Sequence, residues 1–262
     1  MSSKKRVVAT TSVACFIFAI SAVANSAPSF ASDSKTPRPS QSASAKPSQT
    51  LSKLISPKKA MAPFSSMSTS PDSGCAKTTA VGHYPIKVGT PDTKVTPTDR
   101  TFTLNTNCGT ITFTAFGKKA PVTVIAMTFL AKAGFFDHSL CHRVTTAGLY
   151  VLQCGDPTAT GSGGPMWSYN DENLPVKGTN DYPAGTIAMA NSGIDSQGRG
   201  TNGSQFFIVY KDTTLGADYT IWGQVTSGLD IVKKVAAAGV VGGGTDGTPK
   251  QTIAIESVKV SN

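Results

Sequence analysis

Residues 141–157 read CHRVTTAGLYVLQCGDP. Two short apolar runs, Leu140–Val144 and Tyr150–Cys154, flank Thr145-Thr146-Ala147-Gly148, whose small and polar residues mark a turn. The segment is expected to fold as a β-hairpin, with His142-Arg143 on one arm and Gln153 on the other. Neighbours on a strand point to opposite faces. If Arg143 and Gln153 share a face, Cys141 lies on that face and Cys154 on the other, which argues against a Cys141–Cys154 disulfide unless a bulge in the turn resets the phase.

The same alternation extends in both directions. Upstream, Phe102 and Leu104, then Ile111, Phe113 and Phe116, are separated by Asn107-Cys108-Gly109 and read as another hairpin. Pro121–Ala133 has the length and apolar density of a helix, opening on proline and closing on Gly134. Downstream, Thr186–Ala190, Gln205–Tyr210, Thr220–Val225 and Thr252–Val260 read as strands, and Leu229–Ala238 as a second helix stopped by Gly239. About eight strands and two helices predict a mainly β domain, a closed eight-stranded antiparallel barrel capped by two helices.

The chain has 262 residues and a formal charge of +9. Residues 1–100 hold 13 Lys and Arg against 4 Asp and Glu, whereas residues 101–262 hold 11 of each. The basic character belongs to a tail rather than to a nucleic-acid-binding face, so no nucleic acid is expected as a partner. Residues 1–27 carry Lys4, Lys5 and Arg6 before an apolar run from Val7 to Ala24 and then small residues, the pattern of a signal peptide or N-terminal anchor. Acylation at Cys15 fits less well, because Phe16-Ile17-Phe18 follows it. Residues 28–97, rich in Ser, Pro, Thr and Lys, are expected to form a disordered linker that spaces the domain from the envelope or touches it through its charge. Residues 98–262 form the folded domain, expected to be an exported monomer.

Several chemistries are excluded. His83, His138 and His142 lack the spacing of a zinc-protease helix and no Cys-x-x-Cys pair occurs, so no metal is expected. The glycine runs 161–164 and 242–244 lack the Lys-Ser/Thr of a phosphate loop and read as turns. No Gly-x-Ser-x-Gly elbow is present. The remaining chemistry needs no nucleophile and no cofactor.

Four motifs stand in order: His142-Arg143; Gln153, Gly155 and Asp156; Met189-Ala190-Asn191; and Asn202-Gly203-Ser204-Gln205-Phe206-Phe207. Together they resemble the cyclophilin peptidyl-prolyl isomerases over about residues 101–262. The resemblance implies Arg143, Gln153 and Asn191 as catalytic residues. It implies a substrate groove lined by His142, Tyr150, Val151, Ala190, Gln205, Phe207, Leu215 and Tyr219, with proline-containing segments of client proteins as partners. Arg143 to Gln153 spans two residues more than is usual in the family, and Thr214 and Tyr219 stand where eukaryotic members carry a tryptophan and a histidine.

The chemistry these residues would have to perform can be stated beside that resemblance. Peptide rotation crosses a barrier of ~18–20 kcal/mol because the nitrogen lone pair is delocalised into the carbonyl, and X-Pro bonds populate both isomers. A catalyst need only favour the twisted state, whose pyramidal nitrogen accepts a hydrogen bond. Arg143, permanently charged and rigid, suits that role. Taken alone, Arg143 reads as a strand-surface arginine and Phe206-Phe207 as core, but alternation lets one phenylalanine fill the barrel while the other faces a groove. A non-catalytic proline-peptide or adhesion module on a stalk would keep the groove without needing Arg143. Cys75, Cys108, Cys141 and Cys154 are even in number, which suits two disulfides in an exported chain or, alternatively, buried thiols.

Overall fold

The structure, a computed structural model, describes residues 74–262. The expected signal peptide or anchor and residues 28–73 of the expected linker lie outside the described residues. Strand β1 (Arg100–Thr106) and β2 (Gly109–Ala115) form the first hairpin, in register from Arg100 opposite Ala115 to Thr106 opposite Gly109. They are followed by α1 (Pro121–Lys132), β3 (Ser139–Leu140), β4 (Arg143–Thr145), β5 (Val151–Cys154), β6 (Thr186–Met189), β7 (Phe206–Val209), β8 (Ile221–Ser227), α2 (Leu229–Ala237), β9 (Asp246–Gly247) and β10 (Ala254–Ser261).

All ten strands join one antiparallel sheet in the order β3-β10-β1-β2-β8-β6-β7-β5-β4-β9. The expected closed eight-stranded barrel is thus corrected to a curled, open ten-stranded sheet. Two local features account for the difference. The run Leu140–Val144, read as one strand, breaks at Cys141-His142, so that β3 pairs with β10 while β4 pairs with β5 and β9. Strand β9 is only a polar Asp-Gly pair and carries no periodicity to read. The chain itself, through Cys141-His142, links β3 at one end of the order to β4 beside the other.

The break also corrects the disulfide expectation. Cys141 is bonded to Cys154, and Cys75 to Cys108. Face parity counted back from Arg143 does not reach Cys141, because that residue lies outside both ladders. The phase is reset before Arg143 rather than in the turn after it.

Curling buries an aromatic core. Phe102 and Phe113 stack at 5.0 Å, Trp222 meets Phe113 edge-on at 5.1 Å, and Phe206 meets Trp222 edge-on at 6.0 Å. Edge-on contact sets the positive rim of one ring against the negative face of the next. Helix α1 buries Val124, Met127 and Leu130 on this core. Its first orphan amides, Val122 and Thr123, donate to the two carboxylate oxygens of Glu172 at 3.0 and 2.9 Å, placing negative charge at the positive end of the helix dipole. Helix α2 starts at Gly228, whose positive φ and approach to Thr110 leave no room for a Cβ, and it buries Val232, Val235 and Ala236.

Candidate active site

Three adjacent strands set the site. Across β4, β5 and β7, Arg143 stands opposite Gln153 and Gln153 opposite Phe207, and on the far side of β7 Ala188 of β6 stands opposite Phe207. Directly opposed residues share a face, so the guanidinium and the Phe207 ring lie on one surface two strand spacings apart, roughly 10 Å. Phe206 enters the main core, so the two phenylalanines divide between interior and groove.

The floor beneath that surface is apolar. Phe207, Val151, Ala188, Val209 and Tyr182 are buried together, with Ala190, Leu215 and Tyr219 packed around them. Tyr219 meets Phe207 edge-on at 5.6 Å. The Tyr182 hydroxyl donates to the Tyr219 carbonyl and accepts from its N–H, both at 3.0 Å. Burial pushes the Tyr182 phenol well above its usual pKa, so it stays a neutral donor.

Above the floor runs a polar chain. Arg143 Nη1 donates to Gln153 Oε1 at 3.0 Å, Gln153 Nε2 to Gln205 Oε1 at 2.9 Å, and Gln205 Nε2 to the Gly161 and Gly163 carbonyls at 3.0 and 2.9 Å. On its other side Arg143 is clamped by Asp246 of β9, with Nε to Oδ1 at 2.7 Å and Nη2 to Oδ2 at 2.8 Å. This fork fixes the plane of the guanidinium. The bond to Asp246 raises the Arg143 pKa and lowers that of Asp246. Three of the five guanidinium N–H groups are thereby engaged, leaving two to meet a substrate.

Gln153, Ala190, Asn191 and Gln205 line a cavity of about 560 Å³ that continues past the glycine-rich loop. Asn191 is aimed by its Nδ2, which donates to Asp171 Oδ1 at 3.1 Å and to the Asp218 carbonyl at 3.0 Å. The loop is built around Asp156. This fully buried carboxylate accepts from the Thr158, Thr160, Gly161 and Gly163 amides at 2.7, 3.1, 2.7 and 3.0 Å. Burial pushes the Asp156 pKa up, but these bonds outweigh it and hold the group below the usual carboxylate value. A Cβ on Gly163 would lie 2.0 Å from Asp156 Oδ1, so glycine is required there. The amides that a phosphate loop would offer a ligand are turned inward.

The structure therefore brings together Arg143, Gln153, Asn191, Val151, Ala190, Gln205, Phe207, Leu215 and Tyr219. Of the two other expected groove residues, Tyr150 lies elsewhere and His142 lies close to Gly161 of the glycine-rich loop. The Tyr150 ring packs edge-on against Tyr210 at 5.9 Å beneath Lys211 Nζ, because strand parity turns it away from Val151. His142 sits in the break between β3 and β4, and neither ring nitrogen finds a hydrogen-bond partner among the described residues. Desolvation, aided by Arg143, lowers its pKa against the opposing pull of Asp156. Asp246, 103 positions from Arg143 in sequence, was not legible as a site residue, because an Asp-Gly pair after a glycine run reads only as a turn. Among the described residues no group of three or more His, Cys, Asp or Glu side chains converges as a metal site requires.

Residues 101–260 match the family model described as cyclophilin type peptidyl-prolyl cis-trans isomerase/CLD. The chain belongs to the cyclophilins. A probable peptidyl-prolyl cis-trans isomerase B of Mycobacterium tuberculosis is 41% identical over 188 residues, covering 66% of this chain and 59% of that relative. A protein of the same description from Mycobacterium leprae is 42% identical over 166 residues, covering 59% of this chain and 55% of that one. The chain thus spans little more than half the length of these two relatives. The crystal structure of a Cryptosporidium parvum cyclophilin superposes with a TM-score of 0.53 at 25% identity, covering 63% of this chain and 99% of that one. A second structure of the same cyclophilin, in the presence of the dipeptide Ala-Pro, superposes with a TM-score of 0.52. Membership in this cyclophilin family accounts for the order of the motifs, from His142-Arg143 to Phe206-Phe207.

Proposed function

We propose that this chain is a peptidyl-prolyl cis-trans isomerase acting on X-Pro bonds of client polypeptides. The observation that carries the reading is the Arg143 guanidinium, oriented by Asp246 and Gln153 and set beside the apolar floor of Phe207. A prolyl ring seated on Phe207, Leu215 and Tyr219 loses water from its imide. The two remaining Arg143 N–H groups can then meet the nitrogen as it becomes pyramidal, an interaction stronger in the twisted state than in either planar isomer. Asn191 and Gln205 hold the flanking backbone, so rotation is confined to one bond. The Ala-Pro dipeptide used with the Cryptosporidium parvum relative is consistent with this substrate class. A non-catalytic peptide-binding module would have no use for a guanidinium clamped on two sides.

We further infer that the N-terminal residues export the chain, that residues 1–27 act as signal peptide or anchor, and that clients are proteins beyond the cytoplasmic membrane. Two disulfides in the described residues suit that compartment. The decisive experiment is an isomerase assay on a proline tetrapeptide with the wild-type chain and Arg143→Ala. Turnover by the first and not the second supports the reading, and a folded wild type without turnover rejects it.

A further inference from the structure

Residues 74–97 precede the region matched by the family and run along the domain as an extended strap. Its start is bonded through Cys75–Cys108, and Ala76 exchanges hydrogen bonds with Asn107, N–H to carbonyl at 2.7 Å and Nδ2 to carbonyl at 2.8 Å. Further along, Thr78 Oγ1 donates to Glu256 at 2.6 Å, His83 N–H to the Pro157 carbonyl at 2.9 Å, and Trp167 Nε1 to the Gly89 carbonyl at 2.9 Å. Gly82 approaches so closely that a Cβ there would lie 2.4 Å from the Thr158 carbonyl oxygen.

The strap is thus seated on the loop that also lines the cavity beside Gln153, Asn191 and Gln205. Ser162 and Gly163 belong to both walls: they line that cavity and a second, open one of about 430 Å³ that Gly82, His83, Tyr84, Thr158 and Thr160 also line. A segment held this firmly could have turned its apolar side chains inward. Val88 does so and packs on the core, whereas Tyr84 is 94% exposed and Ile86 44%. Their exposure beside a peptide groove needs an explanation that domain packing does not supply.

We propose that the strap extends the groove into a second subsite, which takes apolar or aromatic side chains of an extended client polypeptide several residues from the X-Pro bond. The proposal rests on the isomerase reading. A client is the fitting occupant because Ser162 and Gly163 line both cavities, so a chain that leaves the first cavity across that loop meets the strap. The Ser162 hydroxyl can meet a peptide main chain, while Tyr84 and Ile86 offer contact to its side chains. A strap at one end of the groove can meet only one flank of the proline.

The test compares the full chain with Tyr84→Ser/Ile86→Ser. Substrates are a proline tetrapeptide and longer peptides with apolar residues on one flank of the proline or the other. Binding of the same long peptides is followed in parallel by fluorescence anisotropy. The double variant should leave tetrapeptide turnover unchanged and lose about tenfold in kcat/KM and in affinity for long peptides extended on one flank only. Equal losses on tetrapeptide and long peptides would make the strap a mere buttress of the loop and overturn the proposal. So would unchanged long-peptide affinity, or a wild-type dimer in sedimentation that the substitutions abolish, since a second copy would then cover the strap. Absent tetrapeptide turnover in the wild type would reject the isomerase reading, while the anisotropy arm would still decide on the strap.

Discussion

In the proposed reaction Arg143 carries the chemistry, and its neighbours can be separated by what each substitution removes. Arg143→Ala should lower turnover by two to three decades, as expected for one charged transition-state contact worth ~2.7–4 kcal/mol, with little change in melting temperature because the side chain is half-exposed. Asp246 is bonded to Arg143 and is read as a positioning residue that acts through it. Asp246→Ala should lower kcat about tenfold through misalignment of the guanidinium, leave KM nearly unchanged, and be partly rescued by Asp246→Glu; a change in KM alone would contradict positioning. Arg143 depresses the Asp246 pKa, so the clamp is intact above the ordinary carboxylate value and is lost only as pH falls through the lowered one. The wild-type kcat should therefore stay flat through pH 3.8, and a fall already at ordinary carboxylate pKa values would show the pair too weak to matter. Thr214 is exposed beside Leu215, its Oγ1 accepting from the Asn180 N–H at 2.8 Å. In cyclophilins generally a rim tryptophan helps hold cyclosporin, and threonine supplies neither its surface nor its N–H. Thr214→Trp should tighten cyclosporin inhibition more than tenfold while small substrates seated on Phe207 are turned over as before.

At the scale of elements, the arm leading into β4 is where sequence and structure part. Val151, Gln153 and Phe207 were legible as a shared face because period-two alternation holds within β5 and β7. Tyr150 was not, because the family's spacing carried it into the groove while parity placed it against Tyr210. Neither the disulfide nor the strand count could be read from alternation, since the break at Cys141-His142 leaves no signal in hydrophobicity. His142 occupies that break, partly desolvated and without a hydrogen-bond partner for its ring among the described residues. Its pKa in the folded state is lowered from 6.5, so the unfolded chain binds the proton more readily. Stability is then full above pH 6.5 and declines as pH falls below it, in a window distinct from that of Asp156 and Asp246, whose lowered pKa values act below 3.8. Thermal melts from pH 7 to pH 5 should show a falling melting temperature in the wild type and a flatter profile in His142→Gln. Equal slopes would remove His142 as the cause.

For the whole molecule, charge balance and apolar alternation begin together near residue 98, which is where the sequence alone starts the domain. The strap was not legible: residues 74–97 bury too little apolar surface to stand out from a linker, and what ties them down is a cysteine 33 positions away and single hydrogen bonds to distant loops. Such contacts have no local signature. They do have a proteolytic one, since cleavage requires local release of the backbone from its partners. The composition of residues 28–73 predicts ready tryptic cleavage at Lys53, Lys58 and Lys59. Lys87 lies between the Pro157 and Trp167 anchors, and Lys77 directly follows the segment tied to Cys108, so the oxidised protein should yield a core that begins before Cys75. Nicking at Lys77 alone would leave the short Cys75 peptide attached through its disulfide and visible as such by non-reducing mass analysis. Reduction should release that peptide, open Lys77 and then Lys87 to cleavage, and move the start of the core toward Arg100, while β1 to β10 stay protected. Loss of the strap from the oxidised protein at the same rate as the tail would mean that its anchors are too weak to hold a client-binding surface in place.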